Sequence, residues 1–333
     1  MYHFSLIICT YKRPQSILKL LQSVKKQTIY PNEILIVDGS IDNCTKDILQ
    51  QNHYDNVVYF KVDAHSRGLT KQRNFGISKL HISSEIVCFL DDDTILRSNY
   101  FEQILTTFKN FQDAAGVGGI AFNENNWQLN THNIKTSARY FVLDGYYLKE
   151  SLRNYLRNIL RLNSDQLPNV MPEYSHGRTF SYPMNNKVYA VDLLVGMSMS
   201  FKVEVVRNIK FSEYFEGYGL YEDADFSIRA LRFGQNYIAT AAQLGHYHDQ
   251  LGRPNNYKYG KMVIRNGFYV WRTKYPKPTV GSKIKWLQIN ILLIIIRFIN
   301  IVSTKKRMAS LAETAGRVSG LLSLLINRPK IDQ

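Results

Sequence analysis

The stretch Phe89-Leu90-Asp91-Asp92-Asp93-Thr94 places three carboxylates at the end of an apolar run that begins near residue 86. A short apolar run bounded by polar residues reads as a buried strand whose end leaves the core. Three adjacent anions repel one another, so a cation is the natural way to stabilise them, and hard oxygen donors suit Mg²⁺ or Mn²⁺. In extended backbone Asp91 and Asp93 face one way and Asp92 the other. The same triplet also suits a solvated acidic turn or a helix cap.

The pattern repeats on both sides of this stretch. Residues 4–9 (FSLIIC), 34–37 (ILIV) and 57–60 read as strands, while Pro14 opens a helix with Ile17, Leu18, Leu21 and Val24 at helical spacing. Further helices are expected at 70–80 and 99–111. Residues 123–187, rich in Asn, Tyr and Arg with weak periodicity, read as an irregular insertion framing a substrate site. Strands return at 188–192, 195–201 and 237–241, with a helix at 221–233 between the last two. Strands alternating with helices imply an α/β fold, a mostly parallel sheet with helices on both faces, whose ligands sit beyond the carboxyl ends of the strands. Those ends carry Thr10-Tyr11, Asp38 and Asp91–Asp93.

The 333 residues carry a net charge of +15, which first suggests an anionic partner. Residues 251–333 hold 16 Lys and Arg against Glu313 and Asp332, a net of +14, leaving +1 for residues 1–250. The body is near neutral and the end is basic. Three scattered cysteines, Cys9, Cys44 and Cys88, make no disulfide framework and fit the cytosol. The start of the chain shows no signal-peptide pattern.

Two further clusters could carry chemistry. Glu222-Asp223-Ala224-Asp225 falls in the expected first turn of a helix, where the macrodipole favours an ionised carboxylate able to take a proton from an alcohol, or where acids simply cap the helix. His246 and His248 share a face if the segment is a strand, and so could ligate a metal or serve as hydrogen-bonded structural groups. No CxxC, GxSxG or GxxxxGK[ST] occurs, nor a GxGxxG after the first strand, which weakens zinc-finger, serine-hydrolase, P-loop and dinucleotide readings.

Six segments in order resemble the family-2 glycosyltransferases, nucleotide-sugar-dependent enzymes of GT-A fold. They are Cys9-Thr10-Tyr11-Lys12-Arg13-Pro14, Val37-Asp38-Gly39-Ser40, the run from Ser66 to Gly76 (SRGLTKQRNFG), Asp91–Asp93, Val195-Gly196-Met197-Ser198 and Glu222–Asp225. The resemblance implies that Thr10, Tyr11, Arg13 and Asp38 line the nucleotide pocket, with Asp38 accepting a hydrogen bond from the base. It places Arg73, Asp91 and Asp92 near the donor and gives Asp93 the metal that bridges the diphosphate. It makes Asp223 the general base, with Glu222 and Asp225 supporting it on the acceptor side. His246 or His248 would complete the metal or phosphate site. One base and no protein nucleophile imply a single displacement with inversion, assisted by a divalent cation, Mn²⁺ or Mg²⁺.

The expected domains are a catalytic domain at 1–250, with a nucleotide-binding half at 1–122 and an acceptor half at 123–250, and a basic helical extension at 251–333. Within the extension, 284–302 is apolar but interrupted by Gln288, Asn290, Arg297 and Asn300, and its longest unbroken run is 291–296. A membrane span needs ~20 largely apolar residues. Lys283, Asn290, Arg297 and Thr304 repeat every seven residues, a polar stripe that suits a helix lying in a membrane surface, with Lys305-Lys306-Arg307 and a second amphipathic segment at 311–325 beside it. A helical pair packed on the catalytic domain or in a dimer is the other reading. The expected partners are therefore a nucleotide-sugar donor, a glycan or lipid-linked saccharide acceptor and, through 283–326, the inner face of the plasma membrane. No nucleic-acid partner is expected, because the basic segment is interleaved with aliphatic runs rather than stacking aromatics. A metal-dependent nucleotidyltransferase or phosphoesterase, and a non-catalytic saccharide-binding protein, are the rival classes.

Overall fold

The computed structural model describes residues 2–179, 181–248 and 254–331. Along the chain it forms β1 (Phe4–Thr10), α1 (Pro14–Val24), β2 (Glu33–Asp38), α2 (Cys44–Gln50), β3 (Val57–Lys61), α3 (Leu69–Ser78), β4 (Ile86–Asp91), β5 (Thr94–Leu96), α4 (Tyr100–Asn110) and β6 (Ala114–Ala121). Next come β7 (Gln128–Leu129), β8 (Tyr140–Leu143), β9 (Tyr146–Lys149) and α5 (Leu152–Ile159), then β10 (Val188–Val191), β11 (Ser198–Lys202), α6 (Val203–Asn208), α7 (Glu222–Ala230) and β12 (Gln235–His246). The chain ends in α8 (Asn256–Lys274), α9 (Val280–Ser303) and α10 (Arg307–Ile326).

Two compact units result, 1–125 with 184–252 and 126–183 with 253–333. The segment read as part of the acceptor half thus groups with the tail. The boundary expected at 250/251 lies outside the described residues.

The first unit is built on a sheet of order β10-β12-β6-β11-β4-β1-β2-β3, with β5 paired to β12. Strands β4, β1, β2 and β3 run parallel, while β11 enters antiparallel to both β4 and β6. β1 and β4 are continuous apolar runs because both of their faces are covered. Leu6 and Ile8 join Ile17, Leu20 and Leu21 of α1 and Phe101 and Ile104 of α4 in one core cluster. Ile7 points the other way, where a Cβ at Gly76 of α3 would stand only 2.8 Å from its side chain. The period of two puts helices on both faces, as the sequence pattern requires.

Strand register brings the polar ends together. Thr10 pairs with Asp38 and Cys9 with Asp91, so three polar strand ends stand in one row. Ser198, at the start of β11, pairs with Leu90, and His246, at the end of β12, pairs with Thr94. Helix α7 is anchored by Phe226, which stacks on Phe211 at 4.1 Å between centroids, while Phe211 packs edge-on against Phe89 of β4.

The second unit contains a regular piece that the weak periodicity concealed. β7, β9 and β8 form a three-stranded antiparallel sheet. β8 and β9 are joined by Asp144-Gly145, both with positive φ, the two-residue turn that matches strand twist. Helices α8 and α10 pack closely, since a Cβ at Gly260 would collide with the Glu313 carbonyl and one at Gly316 with that of Tyr257. Trp271 and Trp286 stack at 5.1 Å, and the Glu173 carboxylate caps α9 by accepting from Thr279 N (2.9 Å) and Ser282 Oγ (2.7 Å).

The polar stripe of α9 does not face water as a whole. Asn290 is buried and donates to His176 Nε2 at 3.1 Å, and Arg297 pairs with the buried Glu313 of α10. The exposed stripe is the apolar one, Val280, Ile284, Leu287, Ile291, Ile295, Phe298 and Val302, at steps of three or four.

Candidate active site

β4 ends at Asp91, and Asp92 and Asp93 form the turn into β5, where Arg13 Nη1 reaches both, 3.0 Å from Asp92 Oδ1 and 3.6 Å from Asp93 Oδ2. Asp92 points inward, 3% exposed, where it accepts Thr10 Oγ1 at 2.7 Å and Arg13 Nη1 at 3.0 Å. Burial pushes its carboxyl up to about 7 against the opposing charge of Arg13. Asp93 Oδ1 lies 3.3 Å from His246 Nε2, and Asp91 Oδ1 accepts Arg73 Nη2 at 3.3 Å. The turn is fixed by Thr94 Oγ1 donating to the Asp91 carbonyl (2.8 Å) and Tyr247 N donating to that of Asp93 (2.9 Å).

One ligand atom each from Asp91, Asp93 and His246 lie within 4.8 Å of one another. Two carboxylates and one imidazole form an oxygen-rich donor set of the kind that suits Mn²⁺ and, less well because of the nitrogen, Mg²⁺. Of the two histidines it is His246 that joins the triplet. Burial pulls its pKa down, but the hydrogen bond and charge of Asp93, with Asp91 and Glu124 behind them, raise it above the ordinary value. His248 sits instead against Glu124, 2.8 Å from Oε1.

Arg73 organises the opposite wall. It is 2% exposed, donates through Nη1 to Glu222, reaches the Gly196 carbonyl at 3.3 Å, and lies 5.1 Å from the centroid of the Phe211 ring. Glu222 is pushed up to about 8 by burial, against the pull of Arg73. The Arg73 guanidinium is thus committed to carboxylates and a carbonyl within the wall. Asp223, beside it, accepts Gly196 N–H on Oδ2 (2.9 Å) and Ala224 N–H on Oδ1 (2.8 Å). Burial raises its pKa, with those two donors pulling the other way, so desolvation outweighs the helix-terminus effect expected from sequence. A carboxylate raised in this way is a better base than a solvated one. Asp225 is fully buried and holds Arg229 at 2.9 Å, packing the helix itself.

The remaining residues named from sequence line the row of strand ends. Asp38 is fully buried, accepting Ser40 N at 2.7 Å and Tyr59 Oη at 2.9 Å, and Ser40 Oγ in turn accepts Lys12 N at 2.7 Å. Asp38 therefore shapes the turn, while Tyr11, 36% exposed, stands at the surface of the same loop. Tyr59 and Glu124 were not found by sequence reasoning. Tyr59 is one aromatic in an ordinary strand, and Glu124 belongs to no motif. Cys9, beneath the row, is pushed up to about 12 by burial and so is no nucleophile.

Residues 5–182 match the family described as glycosyl transferase family 2. The chain belongs to glycosyl transferase family 2. It is 30% identical over 118 residues, 34% of this chain and 37% of the other, to a glucosyl-dolichyl phosphate glucuronosyltransferase of Haloferax volcanii. It is 29% identical over 103 residues, 30% of this chain and 33% of the other, to the GalNAc(5)-diNAcBac-PP-undecaprenol beta-1,3-glucosyltransferase of Campylobacter jejuni. The matched segment spans about a third of the length of each of these curated relatives. In structure, 96% of the chain superposes on 87% of a mannosyltransferase of Pyrobaculum calidifontis, determined in complex with GDP-Man and Mn²⁺, with TM-score 0.55 and 13% identity. The α/β architecture is that of the GT-A fold, as the sequence resemblance implied, with a helical stretch after it.

Proposed function

We propose that this family-2 chain transfers a sugar from a nucleotide-diphosphate sugar to a hydroxyl of a glycan or lipid-linked saccharide, with inversion, in the synthesis of a cell-surface polysaccharide. The observation that carries this reading is the separation of two kinds of acid by Arg73: Asp91 and Asp93 with His246 on one side, and Asp223 with its two backbone donors on the other. Asp91, Asp93 and His246 would hold a divalent cation, which when bound supplies charge neutralisation for the departing diphosphate. Three protein donors are fewer than the six ligands Mg²⁺ takes, leaving positions for donor oxygens and water. Asp223 takes the proton of the acceptor hydroxyl at one carboxylate oxygen as the new bond forms. Arg73 offsets the charge of Asp91 beside the donor phosphates, while burial keeps Glu222 largely protonated below about pH 8.

Support for a lipid-linked acceptor comes from the dolichyl phosphate and PP-undecaprenol in the names of the two relatives. The apolar stripe of α9, with Lys305-Lys306-Arg307 at its end, supports work at the inner face of the plasma membrane. The central test is Asp223→Asn, assayed by product mass spectrometry with a panel of nucleotide sugars. Turnover should fall by about 10²–10⁴-fold, the usual contribution of a general base, with donor binding retained. Undiminished turnover would remove Asp223 as the base, and release of nucleoside monophosphate in place of diphosphate would turn the assignment to a nucleotidyltransferase or phosphoesterase.

A further inference from the structure

His246 has a second ring nitrogen, and it faces a different group. Its Nδ1 lies 3.0 Å from Glu124 Oε1, the same oxygen that stands 2.8 Å from His248 Nε2. The two imidazole centroids are 4.1 Å apart, and one ligand atom each from Glu124, His246 and His248 lie within 4.8 Å of one another. The cluster is held by backbone. Asn123 Nδ2 donates to the His246 carbonyl at 2.7 Å, and His246 N donates back to Asn123 Oδ1 at 2.9 Å, so the residue before Glu124 is locked to the end of β12. His246 Nδ1 is buried and makes no hydrogen bond among the described residues, whereas the side chains of Glu124 and His248 are 39% and 56% exposed, giving an ion a way in.

We propose that Glu124, His246 and His248 form a second metal site, which takes an imidazole-preferring divalent ion such as Zn²⁺. Two imidazoles and one carboxylate are a donor set that Zn²⁺ uses with a fourth position open. The inner set, with two carboxylates and one imidazole, is oxygen-rich and favours harder ions. Both sets share one ring. A neutral imidazole has one lone pair, so an ion on Nδ1 leaves Nε2 as an N–H that donates to Asp93, 3.3 Å away. Such a carboxylate partner raises the basicity of a metal-bound histidine. Zinc in the outer site therefore removes His246 from the inner one. This coupling rests on the inner-site reading of the proposed function; the outer site itself does not.

The test is calorimetric titration of the full chain with Zn²⁺, comparing the wild type with Glu124→Gln, His248→Ala, His248→Gln and the inner variant Asp91→Asn, which leaves the Asp93 carboxylate behind His246 in place. The inner variant should keep one Zn²⁺ at an affinity close to that of the wild type, and each outer variant should bind it at least tenfold more weakly. Zinc affinity unchanged in the outer variants, or no zinc binding by the wild type, would overturn the site. A second titration with Mn²⁺ separates the two readings. Zinc-saturated wild type should bind Mn²⁺ at least tenfold more weakly than zinc-free protein, and equal affinity would overturn the coupling. No Mn²⁺ binding even without zinc would instead sink the inner-site reading while the zinc result still decides the outer one.

Discussion

In the sheet unit a buried arginine, Arg73, is surrounded by carboxylates, whereas in the helical unit a buried carboxylate, Glu313, is surrounded by arginines. Arg73 meets Glu222 and Asp91, while Glu313 pairs with Arg297 and, at 2.8 Å, with Arg317. Each minority ion makes a local excess of the opposite sign tolerable, since an isolated buried charge is far more costly than a paired one. The excesses are then used differently. Acids in the first unit are gathered at the ends of neighbouring strands, where Arg13, Arg73 and His246 face them. Bases in the second are scattered along helices and their connections.

The sharpest way to break this comparison is Arg73→Met. It leaves Glu222 and Asp91 without their shared partner, and loss of one member of a buried ion pair costs about 3–5 kcal/mol where Glu222 is ionised, near and above pH 8. Denaturant midpoints would show it, and a loss below about 1 kcal/mol would mean that Arg73 does not hold the wall together. The effect has a pH signature. The folded pKa of Glu222, about 8, stands above its unfolded 4.5, so its protonation favours the folded state below 4.5 and that contribution is lost as pH rises to 8. Removing Arg73 should therefore destabilise more at pH 8 than at pH 5.

The helical unit is tested next, at its surface. Ile291 and Phe298 are 43% and 60% exposed on the α9 stripe. Burying such side chains contributes roughly 1.5–3 kcal/mol each, so Ile291→Asp with Phe298→Asp should weaken sedimentation with phosphatidylglycerol vesicles by about a hundredfold. Salt should weaken binding separately through Lys305, Lys306 and Arg307, at about 1 kcal/mol per basic residue. Vesicle binding unaffected by the double variant would leave the stripe without a lipid role.

How much of the molecule was legible in its sequence depends on the range of the interactions. Strands β1 to β4 and β10 to β12 and helices α1, α3, α4 and α7 come from local period, and the sequence shows them, whereas β6, built of small residues (AAGVGGIA), and the short α2, β5 and α6 do not stand out in it. The choice between His246 and His248 was not legible, because it depends on how β12 passes Asp93 and Glu124, residues over 120 positions away. Arg73 reads as a donor contact from its motif, yet its partners come from three separate segments that only the fold joins. Asp144-Gly145 is a different kind of miss: a strong hairpin signal flanked by aromatic, strand-forming residues, hidden by the short strands and polar composition around it. The inward turn of Asn290 and Arg297 escaped because a seven-residue stripe marks a helix face without saying which side meets protein.

The smallest effect separates the two units by the sign of their response to acid. His176 is half-buried in the helical unit, where its Nε2 meets the Asn290 amide and the charge of Arg157 lies close by. With Asn290 Nδ2 as the donor, that nitrogen must accept, so the ring is neutral with its proton on Nδ1. Burial, reinforced by Arg157, pushes the pKa down to about 3 from an unfolded 6.5. The unfolded chain then binds more protons between those values, so His176 costs nothing above pH 6.5 and destabilises progressively as pH falls towards 3, by on the order of 2 kcal/mol at pH 5. Glu222 and Asp92, whose folded pKa values are raised, give the sheet unit the opposite slope in the overlapping range. Hydrogen exchange at pH 7.5, 6 and 5 reads the two units apart, once corrected for intrinsic exchange rates. Protection in α8–α10 should fall relative to β1, β4 and β11 as pH drops, and His176→Gln should flatten that divergence by up to one proton's worth of slope. Equal pH slopes in the two units of the wild type would show that water screens the His176 ring, and that the helical unit owes its acid response to other groups.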